Sequence, residues 1–187
     1  MLVALVVSAL AVALAVPPLF AWTRSLRMRL AAAEVVGAMQ TARLYAVRHQ
    51  ANVALKFRTD PAGRVSWMLY RDGDGDGVRN ADIASGQDPQ TGAPRDLAHF
   101  GRLARLGFPA GIVPRDPGSG RRMDRLDDPV RFNRSDLASW SALGTSTPGS
   151  IYLTDGHRQL WAVRVNQQIG RMRVLVYDAV TETWHRD

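Results

Sequence analysis

The sequence predicts an α+β fold, in which one long N-terminal helix carries a β-rich globular head of antiparallel sheets. Three observations predict it. Between Leu2 and Trp22 there is no charged residue. From Leu26 to about His49 the apolar residues recur at helical spacing. From Ala51 onward the period changes to short runs of strand-forming residues separated by Gly, Pro and Asp.

The first segment, residues 1–22, is the membrane-spanning half of the helix. A bilayer core takes about 20 apolar residues of helix, which this run supplies, with Leu2, Leu5, Val6, Leu10 and Leu14 as its anchoring side chains. A cleavable signal would begin with a basic stretch before a shorter apolar run. Here the apolar run starts at Leu2 and runs through Pro17-Pro18 to Trp22, ahead of Arg24, Arg27 and Arg29, the pattern of a retained anchor. Pro17 should kink the helix, because proline removes a hydrogen bond and crowds the preceding turn. Ala4, Ser8, Ala9, Ala11, Ala13 and Ala15 are small enough to let neighbouring helices approach closely.

Residues 23–50 continue as the amphipathic half, with only Gly37 to weaken it. Arg27, Glu34, Thr41 and Arg48 recur every seven residues as a polar stripe. Leu26, Leu30, Ala33 and Val36 line one flank of it, and Met28, Ala32, Val35, Met39 and Ala42 the other. Together the halves predict one helix of about 45–48 residues, roughly 70 Å long at 1.5 Å per residue. A simple tether needs no second apolar face, so this half is built to pack on a partner surface.

Residues 51–187 form the head. Asn52 to Arg58 and Arg64 to Arg71 read as a hairpin about the turn Asp60-Pro61-Ala62-Gly63. Residues 72–128 are an irregular insertion, in which Asp96 to Leu106 has helical spacing at Leu97, Phe100, Leu103 and Ala104. Strand signals return at Pro129–Phe132, Gly149–Thr154, Gln159–Val165, Arg171–Tyr177 and Thr183–Arg186, with Asp155-Gly156 as a hairpin turn. Trp67, Trp140, Trp161 and Trp184 are expected as core or sheet aromatics.

Composition narrows the chemistry. The chain has no cysteine, which excludes disulfides, thiolate metal sites and cysteine nucleophiles. Its net charge is +7 and Lys56 is its sole lysine, an arginine-rich balance that suits anionic lipid or nucleic acid without choosing between them. His49, His99, His157 and His185 are widely separated, and the only glutamates are Glu34 and Glu182. No Gly-x-Ser-x-Gly or Gly-rich loop before a lysine occurs, so no catalytic arrangement is expected, although scattered Ser, His and Asp can converge in space.

Two clusters stand out in the head. Asp72-Gly-Asp-Gly-Asp-Gly77 places carboxylates at alternate positions, like the first half of a calcium loop. Asp72, Asp74, Asp76 and Asp82 would ligate through side chains and Val78 through its carbonyl, clamping carboxylates that otherwise repel. Ile83 stands where such loops carry a bidentate carboxylate, and the same residues also suit a plain solvated turn. Arg171 and Arg173 alternate onto one strand face, with Arg164 and Arg158 nearby, and would hold a phosphate backbone or line a solvated sheet face. Arg121, Arg122 and Arg125 beside Asp124, Asp127 and Asp128 read as a charge-balanced loop.

A long helix, apolar and then two-faced, ahead of an all-β head resembles a type IV pilin or pseudopilin, and more closely the GspH/FimT family of minor pseudopilins. Met1-Leu-Val-Ala-Leu-Val-Val-Ser-Ala-Leu10 resembles the stretch that follows the family's leader and its Glu, neither of which is in this sequence. Pro17 falls where pilin helices carry their kinking proline. Ala31–Gln50 resembles the second half of the family's helix, Gly149-Ser-Ile-Tyr-Leu-Thr154 its strand start, and Gly170-Arg-Met-Arg-Val174 its late Gly-Arg-x-Arg turn.

The resemblance implies a start of translation upstream with a basic leader, and a single-pass inner-membrane protein whose head lies in the periplasm. It implies a structural subunit of a type II secretion pseudopilus or a type IV pilus, without enzymatic activity. Its partners would be other pseudopilins or minor pilins and inner-membrane lipid, and it would require no cofactor, the structural calcium being a separate reading of the Asp72–Asp82 loop. Two other readings stay open: a minor pilin that binds DNA through Arg171 and Arg173, and a signal-anchored periplasmic enzyme.

Overall fold

The computed structural model describes residues 2–62, 64–97, 104–132, 135–166 and 170–187, with side chains from Trp22 onward. Helix α1 runs unbroken from Leu2 to His49, through Pro17 and Pro18. It is followed by β1 (Val53–Thr59), β2 (Val65–Arg71), the short α2 (Asn80–Ser85), β3 (Gln90–Asp96), β4 (Arg105–Leu106), β5 (Val130–Phe132), β6 (Leu137–Trp140), β7 (Gly149–Thr154), β8 (Leu160–Val165), β9 (Met172–Asp178) and β10 (Thr183–Arg186). This is the α+β architecture expected, a long helix and a head of antiparallel sheets.

The strands form two sheets, one in the order β3-β2-β1-β6 and the other in the order β10-β9-β8-β7. The free edge of β7 takes two short strands end to end, β4 opposite Leu153 and Thr154, and β5 opposite Gly149 to Ile151. Both hairpins expected from their turns are present. β1 pairs with β2 from Val53↔Arg71 to Thr59↔Val65, and Asp60 closes the turn by accepting from the Arg64 N–H at 2.9 Å. In the β7–β8 turn one carboxylate oxygen of Asp155 accepts from the N–H groups of His157, Arg158 and Gln159 at 2.8–3.0 Å.

The core forms where the helix meets the sheets. Met28, Ala31, Ala32, Val35, Ala38, Met39, Ala42 and Ala46 are buried on one face of α1, spaced by three and four residues. Against them lie Val53, Leu55 and Phe57 of β1, Trp67 of β2, Trp140 of β6, and Ile151, Leu153, Trp161, Val163 and Val165 of β7 and β8. Five of the eight helix residues are alanine, so the backbone of α1 comes close to the sheets while the large side chains come from the strands. The pairs Arg29–Asp187 at 2.5 Å and Arg95–Glu34 at 3.1 Å tie the helix to the last residue and to β3.

A second, smaller cluster covers the other face of the second sheet: Met123, Tyr152, Leu160, Ala162 and Tyr177, with Phe108, Ile112, Leu175 and Trp184 packed against them. The segment between β4 and β5 supplies its lid and is clamped by Glu182, which accepts from both Arg115 at 2.8 Å and Arg122 at 2.5 Å.

The stretch 72–128 is more ordered than its composition suggests. The helix expected at 96–106 does not form at its ends, because Asp96 closes β3 and Arg105–Leu106 pairs with β7; residues 98–103, including Phe100 and Leu103, lie outside the described residues. β3, α2, β4 and β6 carry no strong period of their own. β3 is exposed along nearly its whole length and is held by pairing with β2, and its Pro94 suits an edge strand, where one N–H is not needed.

Candidate functional site

Helix α1 uses only part of its circumference to hold the head. Leu26, Leu30, Ala33, Gly37, Gln40, Leu44 and Val47 follow one another at alternating steps of four and three residues along the side facing away from it. Leu30, Leu44 and Val47 are 47%, 69% and 47% exposed, and Trp22, one turn before Leu26, is 65% exposed. A 4-3 repeat keeps one face in line over several turns, the geometry by which one helix packs along another. Of the two flanks read from the sequence, the head occupies Met28, Ala32, Val35, Met39 and Ala42. On the other, Leu26, Leu30 and Ala33 are exposed, while Val36 is partly buried against the core.

The residues expected to enter a bilayer, Leu2, Leu5, Val6, Leu10, Leu14 and Pro17, lie in the first half of α1, and their side chains lie outside the described residues. Among the described residues no helix is long and apolar enough to cross a membrane.

The Asp-Gly loop sits between β2 and α2. The structure brings Asp72, Asp74 and Asp76 together, with one carboxylate oxygen of each within 4.8 Å of the others, the only such acidic or histidine group among the described residues. Asp82 lies in α2 and outside that trio, and Val78 lines a cleft of about 460 Å³ between the loop and β6.

The loop is internally bonded. Asp72 accepts from the Asn52 amide at 2.8 Å and from the N–H groups of Gly75 and Gly77 at 2.7 and 2.9 Å. Partial burial pushes the Asp72 carboxyl up, but these donors outweigh it and hold the group below its ordinary value. Asp76 goes the other way: desolvation raises it most, Arg79 opposes, and Asp74 and Asp82 add to the rise.

Sequence reasoning missed Asp88, which is 1% exposed and closes the loop by accepting from the Gly73 N–H at 3.0 Å and the Arg79 N–H at 2.9 Å. Its role follows from the return of the chain after α2, which spacing along the sequence does not show.

The arginines expected on one sheet face do come together. Arg173 lies directly across from Arg164 in the β8–β9 pairing, and Arg171 immediately precedes β9; both Arg171 and Arg173 are exposed. Arg186 of β10 joins them and is the neighbour that most lowers the pKa of Arg173, followed by desolvation and then by Arg171 and Arg164. Sequence reasoning missed Arg186, whose position depends on the β9–β10 register. Arg158 is a correction: it lies in the β7–β8 turn, at the opposite end of β8 from Arg164. Arg122 also departs from the charge-balanced loop, because its partner is Glu182.

Among the described residues the histidines do not converge with acidic groups into a site. His49 stacks on Tyr45 at 4.1 Å, His157 lies in the Asp155 turn, His185 bonds Thr183 at 2.9 Å, and His99 lies outside the described residues.

Comparison with known proteins places the chain. Among curated proteins none matches. Two structures of the minor pseudopilin EpsH from the type 2 secretion system of Vibrio cholerae are similar to it. One is 15% identical over 79% of this chain and 94% of that one with a TM-score of 0.46; the other is 14% identical over 79% and 92% with a TM-score of 0.44. The family model described as type II transport protein GspH matches residues 31–168, from the middle of α1 to just past β8. The chain belongs to the GspH family of type II transport proteins.

Proposed function

We propose that this chain is a minor pseudopilin, a non-enzymatic subunit that waits in the inner membrane and is then built into a type II secretion pseudopilus. Leu2 to Trp22 hold it in lipid and the head stands in the periplasm. On assembly the same helix leaves lipid and packs against the helices of its neighbours. The reading rests on one observation: α1 carries an exposed 4-3 stripe from Leu26 to Val47, approached by the head at its Val47 end through Gly144.

Replacing Leu30 by Arg puts a charge within that stripe, near its start, at a position 47% exposed, so the head folds while helix packing is lost. In a host lacking the native gene, the Leu30→Arg chain should accumulate in the membrane and fail to restore secretion. Full secretion by this variant would refute the assembly reading.

Two finer features belong to the same reading. Asp72, Asp74, Asp76 and the Val78 carbonyl, with Asp82 beyond them, are the residues that would seat a structural calcium ion, whose charge would offset the repulsion felt by Asp76. The cluster of Arg164, Arg171, Arg173 and Arg186 favours a second reading, a minor pilin that contacts DNA. Arg171, Arg173 and Arg186 are exposed, and Arg173 feels both of them and the half-buried Arg164, a positive patch that suits a phosphate backbone. A salt-dependent gel shift lost on Arg171→Ala with Arg173→Ala would support it, and no shift at low salt would remove it.

A further inference from the structure

We infer that, before assembly, the head rests on the membrane: the turn between β9 and β10, with Val180 at its tip, enters the headgroup layer of a bilayer bearing anionic lipid, beside Trp22. The inference depends on residues 1–22 being the anchor, as proposed above, and adds to it a contact made by the head.

Two ties between α1 and β9 set the height of that turn. Gly170, just before β9, packs on the side chain of Arg43, whose Cδ lies 3.4 Å from the place a Cβ would take. Further along the strand, the Val174 carbonyl accepts the Asp187 N–H, and the Asp187 carboxylate pairs with Arg29 at 2.5 Å. β9 therefore runs back along α1, towards the membrane end of the helix. The helix rises about 21 Å from Arg29 to Arg43. The strand covers about 13 Å from Gly170 to Val174, and the two arginine side chains span the difference. From Val174 the strand continues for about 13 Å to its end at Asp178. Trp22 lies about 10 Å below Arg29 on the helix. The turn at 179–182 thus comes level with Trp22.

What the turn presents suits a lipid surface. Val180 is 92% exposed, more than any other large apolar residue among the described residues, and Trp22 at the same height is 65% exposed. An indole ring is favoured at the boundary between hydrocarbon and water. Asp178 holds the turn in shape: one carboxylate oxygen accepts from the Val180 N–H and the other from the Thr181 hydroxyl, each at 2.9 Å. A turn fixed in this way keeps its valine pointing outwards, where it adds nothing to the core of the head.

The charge at this height is positive. Glu182 is paired with Arg115 and Arg122 together. Arg24 and Arg27 are exposed on α1 just above Trp22. Arginine thus outnumbers carboxylate around an apolar tip, the combination that binds an anionic interface.

The contact also fixes how the rod faces. The turn touches lipid on the head side of α1, so the stripe from Leu26 to Val47 is turned the other way, towards a neighbouring helix. Building the chain into a fibre then lifts the turn off the surface together with the helix.

The chain has no cysteine, so a single label reports a single position. Full-length Val180→Cys, carrying an environment-sensitive fluorophore, is reconstituted in vesicles of phosphatidylglycerol and phosphatidylcholine. A spin label on the lipid headgroups should quench it. The same fluorophore at Leu143→Cys should be untouched, because Leu143 adjoins Gly144, which packs on Arg43, about 30 Å further along α1 than Trp22. Val180→Asp, read through a fluorophore at Ala179→Cys, should shift the ratio of docked to lifted heads about tenfold towards lifted, the effect of unburying one valine, with the thermal midpoint unchanged. Quenching at Val180 should fall in vesicles of phosphatidylcholine alone, and no difference there would overturn the choice of anionic lipid.

Val180→Cys quenched no more than Leu143→Cys would overturn the inference. A blue shift at Val180 without quenching by lipid would mean that protein covers the turn, and would overturn the choice of a membrane. The anchor has its own readout, a fluorophore at Ser8→Cys with the spin label deep in the acyl chains. If Ser8 is quenched and Val180 is not, this inference fails and the anchor stands; if Ser8 is not quenched, both fail.

Discussion

The two faces of α1 can be separated by a pair of substitutions to the same residue. Met39 is completely buried between the helix and the sheets, whereas Leu44, little more than one turn further on, is 69% exposed. Met39→Ala removes buried side-chain atoms from a close-packed site and should cost about 2–4 kcal/mol, less a few tenths regained from the helix preference of alanine. Leu44→Ala removes a similar side chain from solvent and should change stability by no more than about 0.5 kcal/mol.

For a chain of this length those values correspond to a fall of roughly 4–16 °C in thermal midpoint for Met39→Ala and about 2 °C or less for Leu44→Ala. Urea titration of the full chain in detergent, followed by the fluorescence of the buried Trp67, Trp140 and Trp161, measures both. Assembly should respond in the opposite order: the Leu44→Ala chain stays folded and assembles poorly, while Met39→Ala keeps an intact outer stripe on a weakened head. The division of faces is refuted if Leu44→Ala lowers the urea midpoint as much as Met39→Ala.

The head carries further tests. Asp88→Ala leaves the Gly73 and Arg79 N–H groups without their shared acceptor and should cost about 1–3 kcal/mol, seen as a lower thermal midpoint and faster protease nicking within residues 72–88. Gly73→Ala should loosen the same loop, because a Cβ there collides with the Gln87 carbonyl, and the same nicking assay reports it. If the loop holds calcium, a chelator lowers the midpoint of the wild-type chain, by the equivalent of about 2.7 kcal/mol when the ion was at a hundredfold its Kd, and does nothing to Asp74→Asn with Asp76→Asn; an unchanged wild-type midpoint counts against the ion.

The last test concerns pH. Hydrogen bonds from Arg122 and then Arg115 hold the Glu182 carboxyl below its ordinary value of 4.5. A depressed carboxylate contributes fully above that value and is lost as pH falls through its lower folded-state value. The lid between β4 and β5 should therefore become protease-sensitive in acid, and Glu182→Gln should show the same sensitivity at neutral pH.

The parts of this fold that could be read from the sequence are those whose pattern is local. The helix end at His49 and the strands β1, β2, β7, β8, β9 and β10 lie within a residue or two of where strand-forming runs and turn residues put them, and β7 and β8, buried on both faces, are continuous apolar runs on either side of the Asp155 turn. β3 could not be read, since Gln90 to Asp96 neither alternates nor buries a side chain and exists through hydrogen bonds to β2. β4 has only two residues, and nothing in Arg105-Leu106 tells that Leu153 lies opposite.

The candidate surfaces divide in the same way. Arg171 and Arg173 were visible as neighbours in one strand, while Arg186 depends on a register that sequence does not fix. Asp72, Asp74 and Asp76 were visible as a motif, while Asp88 closes their loop from beyond α2.

The composition of α1 follows from having to satisfy two surfaces at once. An isolated amphipathic helix would bury its largest side chains and expose small polar ones. Here the buried face is mainly alanine, and the exposed stripe carries Leu26, Leu30, Leu44 and Val47. Alanine against the head lets the strands supply Trp67, Trp140, Trp161 and Phe132, so the helix contributes close approach instead of volume. Enlarging that face, as in Ala38→Leu, would push the helix away from the sheets at a cost of about 1–3 kcal/mol from overpacking, and would tilt the outer stripe relative to the head. The outer leucines stay 39–69% exposed, so they add little to the stability of the head. A second surface accounts for them, so the geometry that the small residues fix on one side is the geometry a neighbouring helix meets on the other.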